Sequence, residues 1–306
     1  MKISTGQYAR FTDGCSVAKM GDTAVMVTVV SKPKPTPSSF LPLVVDYRQK
    51  SAAAGRIPTN FARRELGITE KEILTSRLID RSLRPLFPAG FNNETQIICN
   101  LLAVDSVHDP DILSINAASA SLVLSDVPWN GPIAAVKLGL IDKEIIVNPT
   151  RKESSESKLN LIVTSMKQNL IVMLEGHADD IYQQDILKAI KTGVKEGHEI
   201  INQILVLQKH YGKTKRIVES AENQEKSVEV ENAVRTLCEM RLREIFRDYK
   251  HDKLSRDDAV NNVRLNIMDK MKKEFTDQFD SKLTEAIFNQ ICKDIFRNLI
   301  FEDGLR

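Results

Sequence analysis

A chain of 306 residues with 27% charged and 42% apolar residues has the make-up of a globular protein, and at about 100–200 residues per domain it holds about two domains. Its net charge of +2 excludes a polyelectrolyte tail, so any contact with a polyanion must come from a local cluster. No run approaches the roughly 18 apolar residues that span a membrane, and the N-terminus lacks the apolar core of a secretory signal. The four cysteines (Cys15, Cys99, Cys238, Cys292) have no metal or redox spacing, which predicts reduced, buried thiols in an intracellular compartment. Both ends are abrupt and read as those of a piece cut from a longer chain.

In chain order, residues 15–20 and 23–30 alternate or run apolar around Gly21-Asp22, a hairpin signal. Residues 31–40 (SKPKPTPSSF) carry three prolines and read as an extended loop, and 41–47 (LPLVVDY) as a short strand. Residues 48–68 read as an irregular loop rich in Ala and Gly. A helix then starts at Thr69, with Glu72 three residues on as a capping box, and ends at Pro85. Residues 95–104 (TQIICNLLAV) read as a buried strand. Asp109-Pro110 opens a helix, Asp109 as N-cap and Pro110 at the first helical position, whose Ala- and Ser-rich body can approach a neighbour closely. Strands follow at 133–140, 144–147, 158–165 and 170–175, then a long helix over 178–208. Residues 1–212 are therefore predicted to form an α/β (α+β) domain with a mixed sheet. Residues 213–306 show only helical periodicity, over 221–250, 255–274 and 281–300, with starts at Ser255 and at Asp280-Ser281. They read as a small all-helical domain.

The stretch 48–88 stands out, with nine Lys or Arg against four acids in a nearly neutral chain. Charge alone leaves two readings open, a solvated loop or a seat for a polyanion. Arg77, Arg81 and Arg84 fall at i, i+4 and i+7 on one helix face, where Asp80 can pair with Arg84 and Arg77. They form either a structural ion-pair lattice against nearby carbonyls or a phosphate site. Catalytic candidates are scarce. The five histidines are scattered, no Ser/His/Asp or Cys/His set stands out, and phosphate-loop and dinucleotide patterns are absent. The pairs Asp179-Asp180 and Asp257-Asp258 read as caps and solvated faces, so no metal site is expected.

Several motifs carry a resemblance: GRIPTNFARRE (55–65), TSRLIDRSLRPLFPAGF (75–91), SDVPWNGP (125–132), LNLIV (159–163) and KHDK-LSRDDAV (250–260). They are long, in order and spread over nearly the whole chain, which resembles polynucleotide phosphorylases, in wording most the animal mitochondrial ones. The resemblance implies a first RNase PH-like domain followed by the family's helical domain. The family's second RNase PH-like domain and its KH and OB-fold domains are not in this sequence. It also implies the family's activity: 3′-to-5′ degradation of RNA, with inorganic phosphate as attacking group and nucleoside diphosphates as products. Implied partners are single-stranded RNA rather than DNA, threaded through a homotrimeric ring. The implied location is the mitochondrion.

Two departures from the family pattern bear on function. A channel loop with two Phe and two Arg in the family corresponds here to Phe61, Ala62, Arg63 and Arg64. One aromatic is lost, and Phe61, Arg63 and Arg64 remain as implied RNA contacts. The family's active copy also carries an Asp, a second Asp six residues on and a Lys two further, a set suited to Mg²⁺. Aligned to it, this chain has Ser154, Asn160 and Ile162. The family's phosphate-cradling serines fall on Asp109, Pro110 and Asp111. The resemblance thus implies a copy with no catalytic residue, no metal ligand and no cofactor of its own, Mg²⁺ and inorganic phosphate serving the intact enzyme. The alternative is a structural or oligomerisation module without intrinsic RNA binding.

Overall fold

A computed structural model describes residues 1–36, 40–65, 67–217, 221–274 and 281–304. The chain divides into two compact units, Met1–Val218 and Glu219–Arg306. This division and the periodicity boundary at 212/213 differ by a short segment. Its lysines and arginine bind the first unit: Lys213 Nζ donates to Asp13 O (2.7 Å), Lys215 Nζ to Leu122 O (2.8 Å) and Ser125 O (2.7 Å), and Arg216 pairs with Asp126 (2.8 Å).

The first unit begins with β1 (Lys2–Ser4), β2 (Gly14–Met20), β3 (Thr23–Pro35), β4 (Leu43–Arg48), α1 (Glu70–Leu83), β5 (Asn93–Ala103) and α2 (Pro110–Leu124). It continues with β6 (Ile133–Ile141), β7 (Glu144–Val147), α3 (Arg151–Glu156), β8 (Leu159–Met166), β9 (Ile171–Ala178) and α4 (Gln183–Tyr211). Five strands form one sheet in the order β1-β2-β3-β5-β4. Only the β4–β5 pair is parallel, which makes the sheet mixed. A second, antiparallel sheet has the order β7-β6-β8-β9.

The hairpin β2–β3 forms as its sequence predicts, with Gly21 in the left-handed region (φ +58°) that its turn requires. The turn Asp142-Lys143 joins β6 to β7 with both residues at positive φ. Residues 31–35, expected to be loop, instead prolong β3 along β5. Beyond Val29, the partner of Gly14, β2 has ended, so that flank of β3 is an open edge where prolines cost no ladder bond. Residues 37–39 of the expected loop lie outside the described residues. β5 is buried on one face only, through Thr95, Ile97, Cys99 and Leu101. The face bearing Gln96 and Leu102, with Val30 and Val44 beside them, is exposed because the helices pack on the opposite face.

Helix α2 is the hub of the unit. Every residue of it except Asp111 is buried, and it packs on β2 and β3 of one sheet, on β6 of the other, and on α4. The approach to β2 needs a glycine there: a Cβ added at Gly14 would lie 2.2 Å from Ser121 O. The polar side chains of α2 bind neighbouring backbone. Ser121 Oγ donates to Val27 O (2.9 Å), Ser119 Oγ accepts from Ile133 N (3.0 Å), and the Asn116 carboxamide bonds both Ala135 N (2.8 Å) and Ala135 O (3.0 Å). Each hydroxyl so placed contributes about 0.5–1.5 kcal/mol and would cost more if left unpaired.

The second unit comprises α5 (Ala221–Arg247), α6 (Lys253–Glu274) and α7 (Ser281–Asp303) around Val234, Cys238, Leu242, Val263, Ile267, Met271, Phe288, Ile291, Ile295 and Leu299. α6 starts two residues before the expected Ser255, because Asp252 Oδ1 accepts from Ser255 N (2.7 Å) and acts as the cap. Asp280, the other expected start residue, lies outside the described residues.

Candidate nucleic-acid interface

The basic stretch leaves the C-terminal end of β4, passes through a 3-10 turn (Ser51–Ala54), and projects residues 55–65 before entering α1. Local chemistry sets its base. Gly55 is left-handed (φ +65°), Val104 N donates to Ala53 O (3.0 Å), and Ser51 N donates to Glu65 Oε1 (2.6 Å). A second brace lies at the tip. Arg63 N donates to Asn60 O (2.9 Å), and the Asn60 carboxamide accepts from Arg64 N (3.1 Å) and donates to Arg64 O. Arg63 is thereby held at φ +48°.

Phe61 is fully exposed, and Arg56, Ile57, Ala62, Arg63 and Arg64 are exposed with it. Among the described residues, no guanidinium of Arg56, Arg63 or Arg64 makes an ion pair or side-chain hydrogen bond. The structure therefore places Phe61, Arg63 and Arg64 together on one tip. Arg56 and Ile57, which stand in the same GRIPTNFARRE run, are exposed nearer the loop's base.

Helix α1 supports the loop. Thr69 Oγ1 accepts from Glu72 N (3.3 Å), and Glu72 Oε2 accepts from Thr69 N (2.7 Å), completing the predicted capping box. Glu72 Oε1 also accepts from Gln49 N (2.9 Å), tying the helix to the end of β4. Burial alone would raise the Glu72 carboxyl, but the Thr69 and Gln49 N–H groups outweigh it and hold it below the usual range.

The three helix arginines divide by role. Arg84 holds Asp80 through Nε (2.9 Å) and Nη2 (2.7 Å), and donates to Leu41 O (3.0 Å) and Leu43 O (3.1 Å). It is a structural clamp on the strand that carries the loop. Arg81 pairs with Glu175 of β9. Arg77, expected to share Asp80, makes no ion pair among the described residues. With Lys71, Asp111, Ile162 and Glu175 it lines a cleft of about 620 Å³.

A second constellation sits at the N-terminus of α2. Asp109 takes the N-cap position, but its carboxylate bonds no helix N–H. It faces Lys137 Nζ (2.7 Å) and Arg151 Nε (3.2 Å), which hold it below its ordinary range although burial would raise it. Asp111 accepts from Thr75 Oγ1 (3.4 Å), and burial pushes its carboxyl up despite nearby Lys71. Ser154 and Asn160 are brought together, Asn160 Nδ2 donating to Ser154 O (3.1 Å). Ser154 Oγ and Asn160 Oδ1 are both buried without a partner among the described residues, and Ile162 lines the cleft. Ser154 lies on α3, a helix absent from the sequence expectations, although its capping box at Thr150 and Glu153 was legible. Ser154 and Asn160 offer only neutral oxygens and Ile162 none, a set without the carboxylates that hold a divalent cation, and among the described residues no cluster of His, Cys, Asp or Glu could hold one.

The comparisons with known proteins match this architecture. Residues 1–128 match the family model described as "3' exoribonuclease family, domain 1", residues 131–196 its domain 2, and residues 229–306 "Polyribonucleotide nucleotidyltransferase, RNA binding domain". The chain belongs to the 3' exoribonuclease family and is similar to polyribonucleotide nucleotidyltransferases along its length. A rice relative, "Polyribonucleotide nucleotidyltransferase 2, mitochondrial", is 37% identical over 100% of this chain. A Rhodospirillum rubrum polyribonucleotide nucleotidyltransferase is 38% identical over 99%, and the Arabidopsis thaliana mitochondrial protein 2 is 36% identical over 100%. The chain spans 31%, 42% and 30% of these three relatives' own lengths. Two solved structures share the fold. A crystal structure of rice Rrp46 is 18% identical with a TM-score of 0.55, covering 68% of this chain and 93% of its own. The Archaeoglobus fulgidus exosome with RNA bound to the active site is 17% identical with a TM-score of 0.52, covering 66% and 87%. Within the polyribonucleotide nucleotidyltransferase frame, the exposed loop and α1 belong to the first matched domain, and Ser154, Asn160 and Ile162 to the second.

Proposed function

We propose that this chain is the RNA-guiding, non-catalytic N-terminal portion of a 3′-to-5′ phosphorolytic exoribonuclease that converts RNA and phosphate to nucleoside diphosphates. The observation that carries the reading is the tip of the 55–65 loop, where Phe61 and the guanidiniums of Arg63 and Arg64, unpaired among the described residues, stand in solvent on a braced backbone. A ring that stacks on any base and cations that hold phosphates suit single-stranded RNA of any sequence, and supply no base-pair readout for DNA. Supporting the non-catalytic part is the chemistry of Ser154, Asn160 and Ile162, which offer neither a carboxylate for Mg²⁺ nor an ammonium. On this reading Mg²⁺ and inorganic phosphate act in the remainder of the enzyme. We assign the complete protein to a homotrimer, in line with the family resemblance. We assign it to the mitochondrion in line with the rice and Arabidopsis relatives, although a bacterial relative is as similar.

Sedimentation of the purified chain with oligo(A), together with an assay for ADP release from poly(A) and phosphate, tests the proposal. Co-sedimentation without ADP release is expected. ADP release would overturn the non-catalytic assignment, and absence of RNA binding would leave only a scaffold or oligomerisation role.

A further inference from the structure

We propose that Asn60 is a positioning residue for RNA: its side chain latches the loop tip so that Phe61, Arg63 and Arg64 are presented in one fixed arrangement. The inference rests on the RNA role of the loop proposed above.

Three observations converge on Asn60. Its carboxamide bonds both backbone groups of Arg64, accepting from Arg64 N (3.1 Å) and donating to Arg64 O. An amide edge offers one acceptor and one donor side by side, as a neighbouring strand would, so one side chain replaces a strand partner. Its own carbonyl accepts from Arg63 N (2.9 Å), which closes the turn around Phe61 and Ala62. The closed turn holds Arg63 at φ +48°, a conformation that residues other than glycine rarely adopt without local compensation.

Nothing else among the described contacts holds the tip. The Glu65–Ser51 bond and the Gly55 turn fix only the base, and the side chains of Phe61, Ala62, Arg63 and Arg64 lie in solvent. The backbone is thus constrained while the guanidiniums stay unpaired. That division suits a grip on a flexible polyanion, because the ordering cost of the loop is met before the ligand arrives. Only Asn serves well here. Asp would set a carboxylate oxygen against Arg64 O, and Gln would carry the amide a methylene too far.

The test compares Asn60→Ala and Asn60→Asp with the Arg63→Ala/Arg64→Ala double variant, all in this 306-residue chain. The readouts are labelled oligo(A) affinity over a range of salt, and the rate of tryptic cleavage after Arg63 and Arg64 without RNA. Asn60→Ala should bind about fivefold more weakly with an unchanged salt slope, since the phosphate contacts remain but are no longer pre-set. Its cleavage should quicken by about fivefold or more, because local opening is no longer opposed. Asn60→Asp, which keeps the acceptor for Arg64 N but sets a carboxylate against Arg64 O and against the RNA phosphates, should bind at least as weakly as Asn60→Ala. A merely structural role elsewhere in the unit would change melting but not cleavage at these two bonds. If Asn60→Ala binds and is cleaved like the wild type while the arginine pair matters, the positioning role is overturned and the loop assignment stands. If the arginine double variant binds oligo(A) like the wild type, the RNA role of the loop falls, and the latch with it.

Discussion

The two tip arginines yield a quantitative expectation. Arg63 and Arg64 are exposed and make no ion pair or side-chain hydrogen bond among the described residues, so replacing both by Ala removes two positive charges and no fold contact. If each neutralises one phosphate of a single strand, the slope of log affinity against log salt should become shallower by about 1.4, at about 0.7 per contact. Between about 50 and about 200 mM salt, the wild type should therefore lose about sevenfold more affinity than the double variant. Fluorescence anisotropy of a labelled oligo(A) across that range measures it, with thermal melting as the control for folding. Arg84→Ala is the contrast. Arg84 is spent on Asp80 and on the carbonyls of Leu41 and Leu43, so its loss should lower stability by about 1.5–3 kcal/mol. Parallel salt slopes for the wild type and the Arg63/Arg64 double variant would refute the reasoning, since charges that contact no phosphate release no counterions.

Three further outcomes are expected. Ala62→Phe should raise oligo(A) affinity about tenfold by adding a second stacking ring beside Phe61, near the low end of stacking on one base; unchanged affinity would show that bases do not reach the tip. Thr69→Ala removes the cap that accepts from Glu72 N and should cost about 1 kcal/mol, lowering the melting temperature of the first unit by about 2–4 °C. Burial lowers the Lys215 ammonium from 10.5 to about 8, against the pull of Asp126. The charged form is thus disfavoured in the folded state, the penalty is complete below about pH 8, and it is relieved as pH rises toward 10.5, where the unfolded chain still holds the proton. Denaturant titrations should show the wild type gaining stability over Lys215→Met from about pH 7 to about pH 9.5, and a constant difference would contradict that sign.

Some of this molecule is legible within a few residues of sequence. The capping box at Thr69 and Glu72, the turn at Gly21 and the proline-led start of α2 appear as read, because each depends on hydrogen bonds and dihedral limits local to the segment. The GRIPTNFARRE run is likewise exposed and basic as its composition suggests, whereas Ser154 and Asn160 were singled out only through the family resemblance.

Other features needed distant partners. Asp109 has the residue type and position of an N-cap, yet Lys137 and Arg151 take its carboxylate, since two nearby cations outweigh one helix N–H. Arg81 and Arg84 share a helix face with Arg77, but only where β9 and the carbonyls of 41 and 43 fall decides which of them are engaged. Prolines 33 and 35 looked like loop until β2 ended opposite Val29 and left them an open edge. The sequence by itself determined most of the elements, the capping box at Thr69 and the basic run; the tertiary structure decided the extent of β3, the partner of Asp109 and which charges are paired. Local backbone chemistry acts over three or four residues, whereas the neutralisation of a charge depends on which remote groups folding brings within about 3 Å.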